Sequence, residues 1–422
     1  SCMSYTTKSV FEGFDQSQEG DTLHFHRKHN LSTKNNPLCG ICLPQWIAIL
    51  RQRSHEIEWT TYWPRLLVIS LLACINSLLA IPEWILYNKR IRNATINPRP
   101  VFVLGHPRTG TTLLHSILAL DTERFAVCTT FCAGFPSCFL WFEHIGKKLF
   151  ASVIDDRRPM DNVPLHFDLP QEDELATNVL SGGISPYMPL FFMKQEPSFR
   201  PYYSFSESAT DDEYLPLPEL AKARKQWTDS FLYLLRKLTV RASIHNSNVK
   251  HEPRLLLKSP VHTARIPLLL SLFPDAQFIY IHRHPYDVFQ SAAHMAETTY
   301  CYTYMNTPTN GMIQEFIFRQ YEILWNRYEE GRELLGHDQL IEVSFEELSD
   351  KPYETVKKIY GHFTWNFVSI DASLQSELSQ IKNFARNQHP GLSLTMKQRI
   401  NERWGSSFTR LGYSKEAKAT IT

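Results

Sequence analysis

Neither charge sign is in surplus in this chain: its 422 residues carry 44 Lys and Arg against 43 Asp and Glu. A general nucleic-acid binder needs a basic excess, so that class is excluded. Cysteine offers no framework either. There are 8 in the whole sequence. Cys39-Gly-Ile-Cys42 lacks a second pair at zinc spacing, and Cys128 and Cys132 fall in an apolar run. Buried or free thiols are therefore expected rather than a disulfide scaffold, a redox pair or a zinc module. No internal repeat is visible. What is present in quantity is apolar mass: 43% hydrophobic and 13% aromatic residues support a large core, in one large domain or two ordinary ones.

Residues 1 to about 60 are polar, with a breaker at Asn35-Asn36-Pro37, and His24, His26 and His29 read as a solvated tract. Leu66 to Leu86 is different, an apolar run whose one charge is Glu83. It is long enough to cross a bilayer core, which needs ~20 apolar residues. Ser70, Asn76, Ser77 and Glu83 nevertheless share one side of a helical wheel, and Pro82 is expected to kink the helix. A polar stripe of that kind favours lying in the membrane interface or packing on protein over standing alone in lipid. Membrane contact through 66–86 is expected, with an endomembrane or Golgi location, otherwise a cytoplasmic one. Asn30-Leu-Ser32 and Asn93-Ala-Thr95 fit the glycosylation acceptor pattern.

From Pro100 onward the pattern alternates between strand and helix. Strands are expected at Val101 to Leu104, Arg254 to Lys258, Gln277 to Ile281 and Leu340 to Ser344. Helical spacing follows from Thr111, over Thr263 to Leu272, from Pro285 to about Ala296, and from Pro352 to about Phe363. The alternation predicts an α/β fold with an open, mostly parallel sheet that binds ligands at the carboxyl ends of its strands. Residues 121–250, with Phe131, Phe135, Phe139, Trp141 and Phe142 and a Pro-rich stretch from Pro197 to Pro218, read as an inserted lid over an acceptor.

The most informative segment is Pro100-Val-Phe-Val-Leu-Gly-His-Pro-Arg-Thr-Gly-Thr-Thr-Leu-Leu114. Its apolar strand runs into a turn bounded by Gly105 and Gly110 and then into a helix start. That is the context in which backbone N–H groups converge on a phosphate. The glycine frame matches G-x-x-x-x-G-K-[ST], except that Thr111 and Thr112 stand where lysine and its neighbour belong. Without that lysine a triphosphate is disfavoured. A second segment, Phe278-Ile-Tyr-Ile-His-Arg-His-Pro-Tyr-Asp-Val-Phe-Gln-Ser291, ends a strand at Arg283 and presents Ser291 two helical turns on. A guanidinium and a hydroxyl so placed suit a second phosphate, although Asp287 offers Arg283 a structural partner. Phosphoryl-transfer enzymes place an acidic magnesium ligand at a strand end, whereas this strand ends in His282-Arg283.

The first segment resembles the 5′-phosphate loop G-x-P-R-[ST]-G-T-T of the sulfotransferases that use 3′-phosphoadenylyl sulfate (PAPS). Gly105, Pro107, Arg108, Thr109, Gly110, Thr111 and Thr112 match it, and His106 fills the variable place. Arg283 and Ser291 resemble the family's 3′-phosphate pair. Leu257-Lys258-Ser259-Pro260-Val261-His262 is similar to the context of the catalytic lysine in tyrosylprotein sulfotransferases. The resemblance implies that Lys258 touches the bridging oxygen as PAP departs and that His262 acts as a base or a donor to the sulfuryl group. Arg158-Pro-Met-Asp-Asn-Val and Leu169-Pro-Gln-Glu-Asp-Glu-Leu175 resemble R-P-x-D-N and P-Q-E-D-E-x motifs of a broad sulfotransferase subfamily. A base among the acids is implied, Glu174 being preferred to Glu172 because apolar neighbours place it at the edge of a buried helix face. The glutamate that tyrosylprotein sulfotransferases carry after the loop is replaced here by Val127-Cys-Thr-Thr-Phe131, which argues against a protein-tyrosine acceptor. Trp404-Gly-Ser-Ser-Phe-Thr-Arg410-Leu-Gly-Tyr413 resembles the loop that closes over the donor, which implies Arg410 near the 3′-phosphate and Tyr413 near the adenine.

The resulting expectation is a three-layer, P-loop-like parallel sheet with helices on both faces and a helical and loop insertion forming an acceptor lid. The polar arm spans 1–60, the apolar helix 61–95 and the PAPS-dependent domain 98–415. Catalytic roles fall to Arg108, Glu174, Lys258 and His262, with PAPS as donor, PAP as product and no metal. The acceptor is a small molecule with a hydroxyl or amine, apolar and lipid- or sterol-like. No nucleic-acid partner is expected. Two rivals stay open, a non-catalytic nucleotide-binding adaptor on a membrane and a P-loop kinase.

Overall fold

Five short strands, all parallel, form the centre of the computed structural model. It describes residues 22–26, 32, 36–150, 166–207, 215–245, 253–380 and 391–415. His29, Asn30 and the motif from Arg158 to Val163 lie outside the described residues. The strands are β1 (Val101–Leu104), β2 (Phe125–Val127), β3 (Arg254–Lys258), β4 (Gln277–His282) and β5 (Leu340–Ser344), in the order β2-β3-β1-β4-β5. In register, Val103 stands beside Lys258 and Leu104 beside Tyr280, so the carboxyl ends of β3, β1 and β4 come out together. The chain leaves β1 toward one side of the sheet and crosses to the other after β3. That reversal is where open α/β sheets bind ligands.

The period of two sorts the strands' side chains between the two faces. Val101, Val103, Ile279 and Ile281 join one core, and Phe102, Leu104, Phe278 and Tyr280 the other. In chain order the helices are α1 (Leu43–Arg53), α2 (Trp59–Asn93), α3 (Thr111–Leu118), α4 (Thr130–Gly134), α5 (Phe139–Leu149), α6 (Asp173–Leu180), α7 (Leu217–His245), α8 (Ile266–Leu272), α9 (Pro285–Thr299), α10 (Asn310–Arg332), α11 (Phe345–Asp350), α12 (Pro352–His362), α13 (Val368–Gln380) and α14 (Leu394–Leu411). The first core is closed by α3, α12 and α13; the second is closed by α7, α9, α10 and α14. Helices thus cover both faces, which makes three layers.

Two features differ from the sequence reading. Residues 36–58 are no loose arm, because Trp46 and Ile49 of α1 are buried in a third cluster with Leu66 and Ile69 of α2. The apolar helix is 35 residues long and remains helical through both Pro64 and Pro82. Its polar residues are engaged by the protein. Ser70 accepts from the Trp46 indole at 2.8 Å, Ser77 from the Leu43 amide at 2.7 Å, and Asn76 donates to the Cys39 and Ile41 carbonyls. Glu83, almost fully buried, pairs with the buried Lys237 of α7 and accepts from the Leu140 amide at 2.8 Å.

Candidate active site

Gly105 leaves β1 at φ 145° and Gly110 caps α3 at φ 95°. A Cβ on Gly105 would meet the Ile281 carbonyl oxygen at 2.4 Å, and one on Gly110 would meet the Phe345 ring at 2.4 Å. Both positions therefore require glycine. Between them Arg108 is held at φ 76°, strain of the kind that collects at binding loops. Thr109 bonds the His106 carbonyl at 2.8 Å, and the Gly105 amide donates to the Thr263 hydroxyl at 2.9 Å. The loop is thereby fixed at the start of α3, where free amides favour an anion.

The two arginines and Ser291 come together at this loop. The Arg108 Nε donates to the Ser291 hydroxyl at 2.9 Å. Arg283 lies against the Arg108 carbonyl (3.4 Å) and over the Phe345 ring (4.6 Å). Its contact with Asp287 is long, 3.7 Å, so the structural partner holds it weakly. Thr111 is buried and Thr112 half-buried at the helix start.

His106 and Arg410 differ from expectation. The His106 ring turns inward, with Nδ1 2.7 Å from the Pro107 carbonyl and the ring 5.0 Å from Tyr321. Burial pushes it down to about 3, so its neutral side chain brings no charge to a phosphate. Arg410 is bound to Glu342 in the middle of β5, at 3.1 and 3.2 Å. Burial alone would lower its pKa, but Glu342 raises it. Tyr413 lies at the end of β4, its hydroxyl 2.7 Å from His282 Nδ1 and donating to Glu346.

The second half of the site is built from three consecutive acids facing three bases. The backbone after β2 pairs with the P-Q-E-D-E segment through the Thr129–Pro170 bridge and the Gln171 amide on the Cys128 carbonyl. This delivers Glu172, Asp173 and Glu174 to the end of β3. Glu172 bonds Lys258 Nζ at 2.8 Å, Asp173 meets His262 Nε2 at 2.6 Å, and Glu174 pairs with Arg265 at 2.6 and 3.2 Å. The bases stand at Lys258, His262 and Arg265, and successive side chains at the start of α6 splay apart to reach them.

The three pairs differ in what they can do. Glu174 has no exposed surface, and it also accepts from Trp227 (3.1 Å) and Ser185 (2.7 Å). With four donors, two of them from one bidentate guanidinium, its lone pairs are occupied. Both oxygens are taken by partners other than Lys258, which runs against the expectation of a base there. His262 also has no exposed surface; it lies edge-on to Phe102 and Phe231. Burial would raise the Asp173 carboxyl, but His262 holds it below the usual carboxylate range. Asp173 also accepts from the Lys258 amide at 3.1 Å, so that pair fixes the backbone under Lys258.

Glu172 alone among the three keeps an opening, its side chain 20% exposed. Its other oxygen accepts from the Tyr187 hydroxyl. Burial, then the Glu172 charge, lifts the Tyr187 pKa well above its ordinary value, so the phenol stays a donor. Lys258 Nζ also lies 3.4 Å from the Thr112 hydroxyl of the phosphate loop. The sequence reading missed Arg265 and Tyr187. The spacing Lys258, His262, Arg265 opposite three acids was the available signal for the first.

The family model described as the sulfotransferase family matches residues 100–368, a span that holds the loop, the acids, Lys258 and the Arg283–Ser291 unit. The chain belongs to the sulfotransferase family. It is similar to the omega-hydroxy-beta-dihydromenaquinone-9 sulfotransferase of Mycobacterium tuberculosis, with 28% identity over 373 residues covering 88% of this chain and 89% of that one. Among solved structures it is similar to the sulfotransferase STF9 of Mycobacterium avium, with a TM-score of 0.62 and 18% identity over 90% of this chain and 94% of that one. The sulfotransferase STF1 of M. tuberculosis gives a TM-score of 0.56 at 18% identity, covering 86% and 90%. These two show the fold. This sulfotransferase is thus an enzyme of the PAPS-dependent type, and its reaction is sulfuryl transfer to an acceptor hydroxyl.

Proposed function

We propose that this sulfotransferase moves the sulfuryl group of PAPS to the hydroxyl of an apolar, lipid-like small molecule. The loop from Gly105 to Thr112 would hold the 5′-phosphate, and Arg283, with Ser291 and Arg108, the 3′-phosphate. The glycine cradle, which tolerates no Cβ, and the Arg108–Ser291 contact support that fit. Glu172 would be the base and Lys258 the cation at the leaving oxygen. The bond between sulfur and the bridging oxygen breaks as a bond to the acceptor oxygen forms. The acceptor proton passes to Glu172, and PAP leaves with the bridging oxygen beside Lys258.

The observation that carries this reading is the Glu172–Lys258 pair, 2.8 Å apart and touching the loop through Thr112. In the donor-free enzyme each group neutralises the other. When Lys258 turns to the donor, Glu172 is released to accept a proton, so the base becomes available once the donor is in place. The acceptor class rests on the relative whose name describes a menaquinone derivative and on the aromatic insertion between β2 and β3, where Phe131, Phe135 and Phe142 cluster. That insertion would be the acceptor lid. Fixed cations serve a sulfuryl group, which carries less charge than a phosphoryl group, so transfer would need no metal. The test is transfer of radiolabelled sulfuryl from PAPS into a cell extract separated by polarity. Label is expected in the apolar alcohols; label confined to water-soluble acceptors overturns the acceptor class.

A further inference from the structure

On α2 the usual arrangement of an amphipathic helix is inverted. Its polar side chains face the domain, while Trp63, Leu67, Leu71, Ile75, Leu78, Trp84 and neighbouring apolar side chains lie exposed. Four-residue steps from Trp59 to Ile75, continued at Leu78, Ile81 and Ile85, keep them on one side of the helix. At 1.5 Å per residue the stripe from Trp59 to Leu86 is ~40 Å long. Ile145 and Leu149 are exposed on α5, which packs on α2 through the Trp141 indole on the Leu79 carbonyl (2.8 Å). Such a contiguous apolar face is more than a soluble surface ordinarily leaves in water.

The exposed charges at the carboxyl ends of α2 and α5 are basic. The one acid of α2, Glu83, is buried against Lys237. Beyond the stripe's carboxyl end Lys89, Arg90 and Arg92 are exposed, as is Lys148 at the end of α5. Lys89 and Arg90 line a cavity of about 560 Å³ between α2 and α7, together with Leu86, Asn93 and Ser243. Leu86 belongs to both the stripe and the cavity wall, so the apolar face runs directly into a cationic hollow. Exposed tryptophans stand at both ends of the stripe, the position such amphipathic rings take at a membrane interface.

We infer that the outer face of α2 lies in the plane of an anionic bilayer, sunk into one leaflet, with a lipid phosphate seated in the cavity between Lys89 and Arg90. The helix does not span. Its polar side is held by α1, α5 and α7, so lipid meets the opposite side alone, the geometry of an in-plane anchor. The inference stands on this face and cavity, apart from the donor site, and deepens the lipid-acceptor reading by placing the enzyme where such an acceptor dissolves.

The test is flotation of the full chain with phosphatidylcholine vesicles, with and without phosphatidylglycerol. In parallel, a polarity-sensitive fluorophore on Cys74, an exposed thiol of this helix, reports the local environment. The protein is expected to float with anionic vesicles and the fluorophore to shift to the blue. L71E with L78E should abolish both, and K89E with R90E should weaken anionic binding at least ~10-fold. Three results overturn the inference: failure to float with either vesicle, flotation indifferent to both pairs of substitutions, or a blue shift without vesicles in a dimer that buries the face. PAP binding by calorimetry should be unchanged in all four substitutions. Absent PAP binding with normal flotation would instead strike the donor reading.

Discussion

At the residue scale, three neighbours in sequence have three different fates. Glu174 is sealed with Arg265, and removing its charge leaves a buried guanidinium uncompensated. Glu174→Gln is expected to cost about 3 kcal/mol of stability in urea denaturation. A variant as stable as wild type would show that the pair is dispensable. Apolar neighbours at Leu175 and Ala176 correctly signalled burial, but a carboxylate's use depends on the partner across the fold, and Arg265 lies 91 residues away in the chain. His115 of α3 behaves differently. Burial first, then Lys258, pushes it down from 6.5 to about 3. The unfolded chain takes up a proton below pH 6.5 that the folded one refuses, so this contribution is full above that pH and declines as pH falls toward 3. His115→Leu should flatten the slope of stability against pH between 6.5 and 3 by up to about 1.4 kcal/mol per pH unit. An unchanged slope would place the titration elsewhere.

At the element scale, the strands and helices of the core were largely legible. β1, β3 and β5 have the expected bounds: β1 and β3 centre on short apolar runs, as strands buried on both faces do, whereas β5 alternates between buried and half-buried positions. β2 was missed: three residues carry too little pattern. The long apolar helix was legible as a helix but not its orientation, which depends on partners in α1, α5 and α7. Glu83→Ala leaves Lys237 unpaired in the core and should cost about 3–5 kcal/mol by chemical denaturation. Adding Lys237→Met should recover much of it; no loss in the single variant would detach α2 from that pair. Where β4 passes into α9, Arg283→Ala should weaken PAP by about 2 kcal/mol, the scale of a charge-assisted contact. It should also remove the preference for a 3′-phosphorylated nucleotide in calorimetric titration. Normal PAP binding by this variant would withdraw the 3′-phosphate assignment.

At the scale of the whole molecule, one body joins a donor crevice at the carboxyl edge of the sheet, an aromatic insertion and an apolar outer helix. The glycine turn after β1 and the arginine after β4 were readable because both are local signals. The Glu172–Lys258 pairing was not, since it joins residues 86 apart. With Arg108, Arg283 and Lys258 proposed to supply the cations, transfer is expected to persist in EDTA; activity that chelation removes and magnesium restores would favour phosphoryl-type chemistry. The most direct test of the central claim is the turnover of Glu172→Gln, measured with radiolabelled PAPS beside a calorimetric titration with PAP. A kcat lowered at least ~10²-fold with PAP affinity nearly unchanged is the expected result for a lost base. A variant that retains most of its turnover would contradict the assignment of Glu172.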